Sequence, residues 1–587
     1  MGIPFLRVST AALLASTPAL ATAQQLRVGR QVRIDQTPGQ SPSSEVTQAA
    51  STANPLVGLC GWNEFIPGGS RSAFGVTRDG GETWEESVVR PALPFQSAVE
   101  ADPMTAYDPR TGTLWAGAIS FGPNGGVYCA RLEPGQTDFE PAQMIQVAAG
   151  ADKGWMAAGP DPADLDRTLV YAAYNFGVAR STDLGDTWQG PVTLGSGVGF
   201  LPRTGPNGEL YVAYWDFDSK HLLRRSFDGG VTFGAPITIV DRMDVYGLQE
   251  NSAIPGFFRA PSLQGFAVDP SSCHLYCVYF DTTSQTGTQK DVDVYLTKST
   301  DQGVSWSIPT IVNGDSSFEQ DQFFPWIEVD DDGGLHVIFY DTRHNAQLDE
   351  AGGALLDTYY AYSDSDGAAW TEFRLTPNSW DSQDALLGGG FTLGYLGDYI
   401  GLSAGGGRVL PSYMATTPAT GSDIMTNVVL LGPAQVVCQG LLCPCANDDP
   451  NAGCGNSGSD GDPATGASMT GSGSPSVAVD DLTITVSGLE PNQFSLIFAS
   501  QSLGSATIGD GHFCIGGALK RYPVQQANAS GSIQLGPGQV VSLAQGATTA
   551  FGPSPGETWY YQAVYRDPAG PCGAGINVTS AVSVLWE

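Results

Sequence analysis

One turn signature, Ser/Thr-x-Asp-x-Gly-x-Thr-Trp, returns along this chain and limits its fold more than any other feature. The first copy is Thr77, Asp79, Gly81, Thr83 and Trp84, and the second is Ser181, Asp183, Gly185, Thr187 and Trp188. Ser226, Asp228, Gly230, Thr232 and Phe233 form the third, with one aromatic exchanged for another. The fourth is Ser299, Asp301, Gly303, Ser305 and Trp306; a worn fifth, Ser363, Ser365, Gly367, Ala369 and Trp370, has lost the Asp and the Thr. The unit has the chemistry of a hairpin turn. Its Asp caps nearby backbone N–H groups, its Gly supplies a positive φ, and its hydroxyl adds a local hydrogen bond. Its aromatic residue is expected to open the next strand and to bury its ring between neighbouring units. Short self-similar units at intervals of tens of residues predict a solenoid or a propeller.

Around each signature the sequence repeats four short strands. One unit reads as strands at 265–268, 274–280, 293–297 and 306–312, and the next as 326–329, 335–340, 358–362 and 370–375. A meander of four antiparallel strands is a propeller blade. Two further units lack the signature. One covers 103–107, 113–118, 126–131 and 141–147; the other has only three strands, at 399–403, 409–413 and 424–431. Residues 26–34 can supply the missing fourth strand and close the ring by joining the two ends of the chain. This count favours seven blades over residues 26–435, or six if one weak unit is an insertion.

Composition agrees with an all-β chain of more than one domain. At 587 residues it exceeds an ordinary single domain, and 75 glycines, 39 prolines and only 15% charged residues suit strands and tight turns. Residues 1–23 read as a secretory signal peptide: Arg7 precedes an apolar stretch from Ala11 to Ala23, and Ala21-Thr22-Ala23 fits small-x-small cleavage. The apolar run is short and Pro18 interrupts it, which argues against a membrane anchor. The expected location is therefore secreted, extracellular or at the cell surface, with no membrane span. The expected organisation is a signal peptide at 1–23, a propeller at 24–435, a Cys/Gly/Ser-rich linker at 436–474, and a small C-terminal β-sandwich at 475–587.

The ten cysteines suit an oxidising compartment. Cys438, Cys443, Cys445 and Cys454 cluster between the domains, whereas Cys514 and Cys572 stand alone in the tail. The cluster has no paired C-x-x-C and no nearby His, so a disulfide-stapled linker is favoured over a zinc site. The net charge of −34 excludes nonspecific nucleic-acid binding as the main function. It also means that an anionic ligand would need a local cluster of arginines.

The turns at Thr77, Ser181, Ser226 and Ser299 resemble the Asp-boxes, or BNR repeats, of the sialidase superfamily. The phrases Asp321-Gln322-Phe323-Phe324-Pro325-Trp326, Phe339-Tyr340-Asp341-Thr342-Arg343 and Gly397-Asp398-Tyr399-Ile400-Gly401-Leu402 add to that likeness, which covers roughly residues 40–435. The chain looks like the secreted bacterial BNR-propeller proteins. Cys443-Pro444-Cys445, Gly453-Cys454 and Tyr565-Arg566-Asp567-Pro568 resemble a tail module of secreted planctomycete-type proteins, which implies an extracellular accessory domain and surface attachment through it.

The resemblance implies three arginines that grip a substrate carboxylate, an Asp acid/base, and a Tyr nucleophile activated by a Glu. These would lie around the central mouth, away from the peripheral turns. The family's first arginine belongs to a Phe/Tyr-Arg-x-Pro motif; the matching stretch here, Ser43-Ser44-Glu45-Val46-Thr47, has none. Arg203, Arg259 and Arg343 are the remaining candidates for substrate binding. Tyr399 matches the nucleophile, Glu250 or Glu319 its activator, and Asp102 or Glu64 the acid. Asp152 with Lys153, and Asp321 with Gln322, also sit at inner-strand starts, where a ring of polar groups suits a neutral glycan. Asp330-Asp331-Asp332-Gly333 lacks the spaced ligands of a calcium loop and reads as a hairpin turn. No cofactor or metal is expected, and the expected partner is an extracellular glycan or glycoprotein. The reaction, if any, is a sialidase-like glycoside hydrolysis; the alternatives are a non-catalytic glycan- or protein-binding propeller and a structural surface protein.

Overall fold

The computed structural model describes residues 26–36, 42–52, 54–244, 259–286, 289–315, 320–344, 354–384, 395–417, 421–441, 443–449, 452–456, 465–545 and 552–586. The signal-peptide segment 1–23, Glu250 and Glu319 lie outside the described residues.

Among the described residues, seven antiparallel meanders of four strands follow one another, numbered here one to seven in chain order. Their first strands are Ser43–Ala50, Glu100–Tyr107, Trp155–Asp161, Val198–Thr204, Gly265–Val268, Gln322–Val329 and Gly401–Gly405. Each first strand packs against the first strand of the next sheet, and the seventh returns to the first, so these strands line the axis of a ring. The protein is an all-β propeller. Leu26–Arg33 is the outermost strand of the seventh sheet, antiparallel to Gly421–Leu431 with Leu26 opposite Leu431 and Arg33 opposite Met425. The two ends of the propeller thus share one sheet, as the count of strands requires. Fully buried Trp62, Trp115 and Trp215, all on second strands, fill the wedges between sheets.

The turn signatures join third to fourth strands. In the first copy Thr77 Oγ1 donates to Asp79 Oδ1 at 2.9 Å and accepts from Gly81 N at 2.9 Å. Asp79 also accepts from Thr83 N at 2.9 Å and Thr83 Oγ1 at 2.5 Å. The Ser181, Ser226 and Ser299 copies repeat this network. In the worn copy Ser365 Oγ takes over the Asp role and accepts from Ala369 N at 3.1 Å. The aromatic residue does less than expected. Trp84 and Trp188 stand directly before Glu85–Ser87 and Gln189–Val192, but after Trp306 the outer strand is only Thr310–Ile311. There Ser307 bonds irregularly to the third strand, its N to Lys298 O at 2.8 Å, and delays the ladder.

The C-terminal residues form a small β-sandwich. One sheet carries Phe494–Ser500, Thr558–Asp567, Gly575–Leu585 and Gln435–Cys438, and the facing sheet carries Ser468–Ser472, Thr483–Ser487 and Ile533–Leu535. Ile484, Val486 and Leu535 meet Ile497, Trp559, Tyr561 and Val582 in its core. The segment read as a linker therefore contributes a strand to each sheet. Cys438 pairs with Cys514, Cys443 with Cys454, and Cys445 with Cys572, so the two tail cysteines bond to the cluster. Asp330–Gly333 is the expected turn, with Asp330 Oδ1 accepting from Asp332 N at 2.9 Å and Gly334 N at 2.7 Å.

Candidate functional site

The inner strands begin with a repeated irregularity. Their pairing register shifts between Ser44 and Thr47, Ala101 and Met104, Val198 and Leu201, and Phe323 and Trp326. At three of these shifts Glu45 (φ 54°), Asp102 (φ 55°) and Phe324 (φ 52°) adopt left-handed conformations and the fourth holds Gly199 (φ 70°); Lys153 (φ 48°) adopts the same conformation two residues ahead of its strand. Such bulges redirect a side chain, and each non-glycine residue held there costs about 1–3 kcal/mol. Two of the three side chains so redirected, Glu45 and Asp102, are charged, and Lys153 joins them at the axis.

They meet in a buried ionic cluster. Lys153 Nζ lies 2.6 Å from Asp398 Oδ2, 3.0 Å from Glu45 Oε1 and 3.7 Å from Asp102 Oδ1. Lys153 belongs to the third sheet's approach and Asp398 to the seventh's, so this contact crosses the axis. Arg259 adds a second cation, its Nη2 donating to Asp398 Oδ2 at 2.6 Å. Tyr395 Oη donates to Glu45 Oε1 at 2.8 Å, and Asn63 ties Glu45 Oε2 (2.5 Å) to the Asp102 backbone N–H (3.0 Å). Glu45, Asp102, Lys153 and Asp398 are all at most 5% exposed. Gly397 (φ 91°) lets the chain pass Glu45 closely; a Cβ there would sit 2.6 Å from the Glu45 nitrogen.

Burial pushes the Asp102 and Asp398 carboxyls above their ordinary range, with Lys153 opposing in both cases. Burial works against the Lys153 ammonium, but Asp398, Glu45 and Asp102 outweigh it and hold its pKa well above the ordinary value. The lysine therefore stays charged and acts as a fixed cation, not a nucleophile.

Tyr399 lies just below this cluster, two residues ahead of its strand and not within it. Its ring packs 5.0 Å from that of Trp155, which stacks on Trp326 at 6.1 Å. Three rings from the third, sixth and seventh sheets thus meet across the axis. Tyr399 Oη has no hydrogen-bond partner among the described residues, and burial raises its pKa well above the ordinary value. A phenol in that setting is not an activated nucleophile.

The arginines expected to act together do not converge. Arg259 belongs to the cluster; Arg203 pairs with Glu328 at 2.6 Å and lies over Trp326. Arg343 bridges Asp341 and Glu372 and covers the Tyr359 ring at 4.0 Å. Asp321 and Gln322 face the neighbouring sheet: Asp321 accepts from Val292 N at 3.2 Å, and Gln322 accepts from Asn313 at 2.9 Å. Glu64 is held by Arg71 at 2.6 Å. Asp102 is the one expected acid inside the cluster. Glu45, Asn63 and Tyr395 were missed; Glu45 and Asp102 each stand third in an inner strand, and that shared position is the signal that would have found Glu45.

No protein-family model and no curated protein matches the chain. Among solved structures it is similar to a Dyadobacter fermentans protein of unknown function, at 15% identity over 69% of this chain and 99% of that one, TM-score 0.40. It is also similar to an α-L-arabinofuranosidase from Fusarium graminearum, at 13% identity over 69% and 98%, TM-score 0.36. A leech intramolecular trans-sialidase shares 10% identity over 52% and 67%, TM-score 0.36. Likeness this distant carries neither substrate nor chemistry across.

Proposed function

We propose that the chain is a secreted, glycan-directed propeller that binds a neutral saccharide at the end of the channel where the inner strands begin. The observation that carries this reading is the pairing of Lys153 with Glu45, Asp102 and Asp398. Both cations of the cluster are already neutralised by the chain's own carboxylates, which outnumber them three to two. An acidic sugar would add a further negative charge there without a converging arginine set. A neutral sugar meets acceptors and donors without that repulsion. Secretion is supported by the composition of residues 1–23 and by three disulfides. Among the described residues no helix is long and apolar enough to cross a membrane. The C-terminal sandwich is proposed as the attachment module.

A glycan array carrying neutral and sialylated oligosaccharides, run beside a fluorogenic sialoside assay, tests the reading. Retention of neutral glycans without fluorophore release is the expected result. Sialoside turnover that disappears in Tyr399→Phe would overturn it. A second reading, an exo-acting hydrolase with Asp102 as proton donor, draws on the raised Asp102 pKa. It requires turnover of neutral fluorogenic glycosides that is lost in Asp102→Asn.

A further inference from the structure

The mouth end of the propeller carries two exposed rings on neighbouring sheets. Inner strands begin at that end, so the hairpins joining second to third strands lie there too. In three successive sheets such a hairpin opens with a phenylalanine: Phe121 after Leu114–Ser120, Phe176 after Asp164–Tyr174, and Phe217 after Leu210–Trp215. Phe121 packs against the core between the second and third sheets. Phe176 and Phe217 do not turn inward; they remain 39% and 50% exposed.

Each exposed ring is held in place. Phe176 stands edge-on to buried Tyr174 at 6.4 Å, and Phe217 leans on buried Trp215 at 5.5 Å. The turn around Phe217 is fixed by its own hydrogen bonds. Trp215 Nε1 donates to Asp218 O at 2.7 Å, and Asp216 Oδ1 accepts from Asp218 N at 2.9 Å and Lys220 N at 3.1 Å. That turn puts Phe217 in the left-handed region, at φ 68°, where glycine fits without strain and a bulky side chain is disfavoured. Half-burial of the phenyl is a weak reason to keep it at a strained position. Strain of this kind gathers at ligand clamps.

The polar groups beside the rings decide what can lie on them. Asp216 and Asp218 flank Phe217 in the chain. Asn175, next to Phe176, accepts from Asp152 N at 3.0 Å, and the partly exposed Asp152 carboxylate has no hydrogen-bond partner among the described residues. Asp152 precedes Lys153, so this hairpin adjoins the ionic cluster. Asp152, Asp216 and Asp218 repel an anionic chain. A protein partner needs a continuous apolar patch, whereas carboxylates and an amide interrupt this one. Aromatic cation sites close several rings around one charge, whereas these rings stand singly, on sheets about 10 Å apart. A neutral sugar chain suits both features. The C–H face of one unit packs on a phenyl face, whose negative quadrupole attracts it, and hydroxyls donate to the carboxylates alongside. Resting on the neutral-saccharide reading of the mouth, we propose that Phe176 and Phe217 are two stacking subsites for separate units of one neutral oligosaccharide. The ligand is then a chain and not a single sugar.

Calorimetric titration of the full chain with cellotetraose, xylotetraose, mannotetraose and chitotetraose, and with their monosaccharides, tests the subsites. Tetragalacturonate and the chitosan tetramer serve as anionic and cationic counterparts. Phe176→Ala and Phe217→Ala each remove one ring. Phe227→Ala removes a phenyl that is 52% exposed on a signature turn of the fourth sheet, at the opposite end. At least one neutral tetramer should bind saturably and more tightly than its monosaccharide. Each mouth variant should weaken it about ten-fold or more, and Phe227→Ala should not. Glycine takes the left-handed turn freely, so Phe217→Gly keeps the fold without the ring and should lose the same affinity. A neutral tetramer bound equally well by the mouth variants would overturn the subsites and leave the mouth reading in place. Tighter, ring-dependent binding of either charged tetramer would overturn the neutral class. If no neutral saccharide binds at all, the mouth reading itself fails and the subsites fall with it.

Discussion

Lys153 Nζ sits 2.6 Å from Asp398 Oδ2 across the propeller axis, and this contact joins the third sheet to the seventh. Both groups are almost wholly buried, and removing Lys153 leaves the carboxylates of Glu45, Asp102 and Asp398 with Arg259 as their one remaining cation in the cluster. Lys153→Met should destabilise the protein by about 3–5 kcal/mol, measured as a fall in the urea midpoint. Adding Asp398→Asn to that variant should restore part of the loss, because one of the stranded carboxylates is gone. A double variant no more stable than Lys153→Met would show that the pair does not couple the two sheets.

Tyr399 makes the opposite prediction. Its hydroxyl is buried without a partner among the described residues, so Tyr399→Phe removes an unmet polar group and keeps the ring on Trp155. Stability should be unchanged or higher by about 1 kcal/mol. A clear loss, read in thermal unfolding, would mean that the hydroxyl has a bonding role in solution.

The fold was legible because its signal is local and repeated. The Asp79, Asp183, Asp228 and Asp301 turns each write their hydrogen bonds within seven residues, and every copy forms the network its side chains can make. The closure strand was legible from a missing partner: three strands near the end of the propeller and one unclaimed strand at its start. The candidate site was not legible in that way. Glu45, Asp102, Lys153, Arg259 and Asp398 come from five sheets, and only ring closure brings them together. Their orientation depends on left-handed backbone at Glu45, Asp102 and Lys153, a conformation uncommon for Glu and Lys. Arg203 was chosen for its place near an inner strand and Arg343 for its place at the end of a second strand; Arg203 pairs with Glu328 of the sixth sheet, and Arg343 serves the nearby Asp341 and Glu372.

The turn signature predicts an acid-sensitive contribution to stability. Burial is the largest single influence and raises the Asp79 carboxyl, but the hydrogen bonds from Thr83 and Thr77 together outweigh it and hold the group below its ordinary pKa. The folded state therefore binds this proton less tightly than the unfolded chain does. The turn's contribution is complete above the ordinary Asp range and fades as pH falls through the lowered folded value. Asp79→Ala should cost about 1 kcal/mol at neutral pH, as loss of a helix cap does, and the deficit should shrink in acid. Thermal melts of both proteins at pH 7 and pH 3 read this difference; a constant deficit would remove the carboxylate from the explanation.

Asp321 should behave in the reverse sense. Burial, with the nearby carboxylates of Asp291, Asp293 and Asp315, pushes it up to about 7 from an ordinary value of 3.8, against the hydrogen bond from Val292 N. The folded protein thus holds a proton that the unfolded chain releases near pH 4. Stability contributed by this site is present below that range and is lost as pH rises toward 7. An amide keeps an acceptor for the Val292 N–H and cannot ionise, so Asp321→Asn escapes the loss. The variant and the unmodified protein should melt together at pH 4, and their midpoints should separate steadily up to pH 7. Above pH 7 the variant should stay ahead by a constant margin, on the order of 4 kcal/mol. Melting curves that never separate would mean that Asp321 ionises in the fold as easily as it does in water.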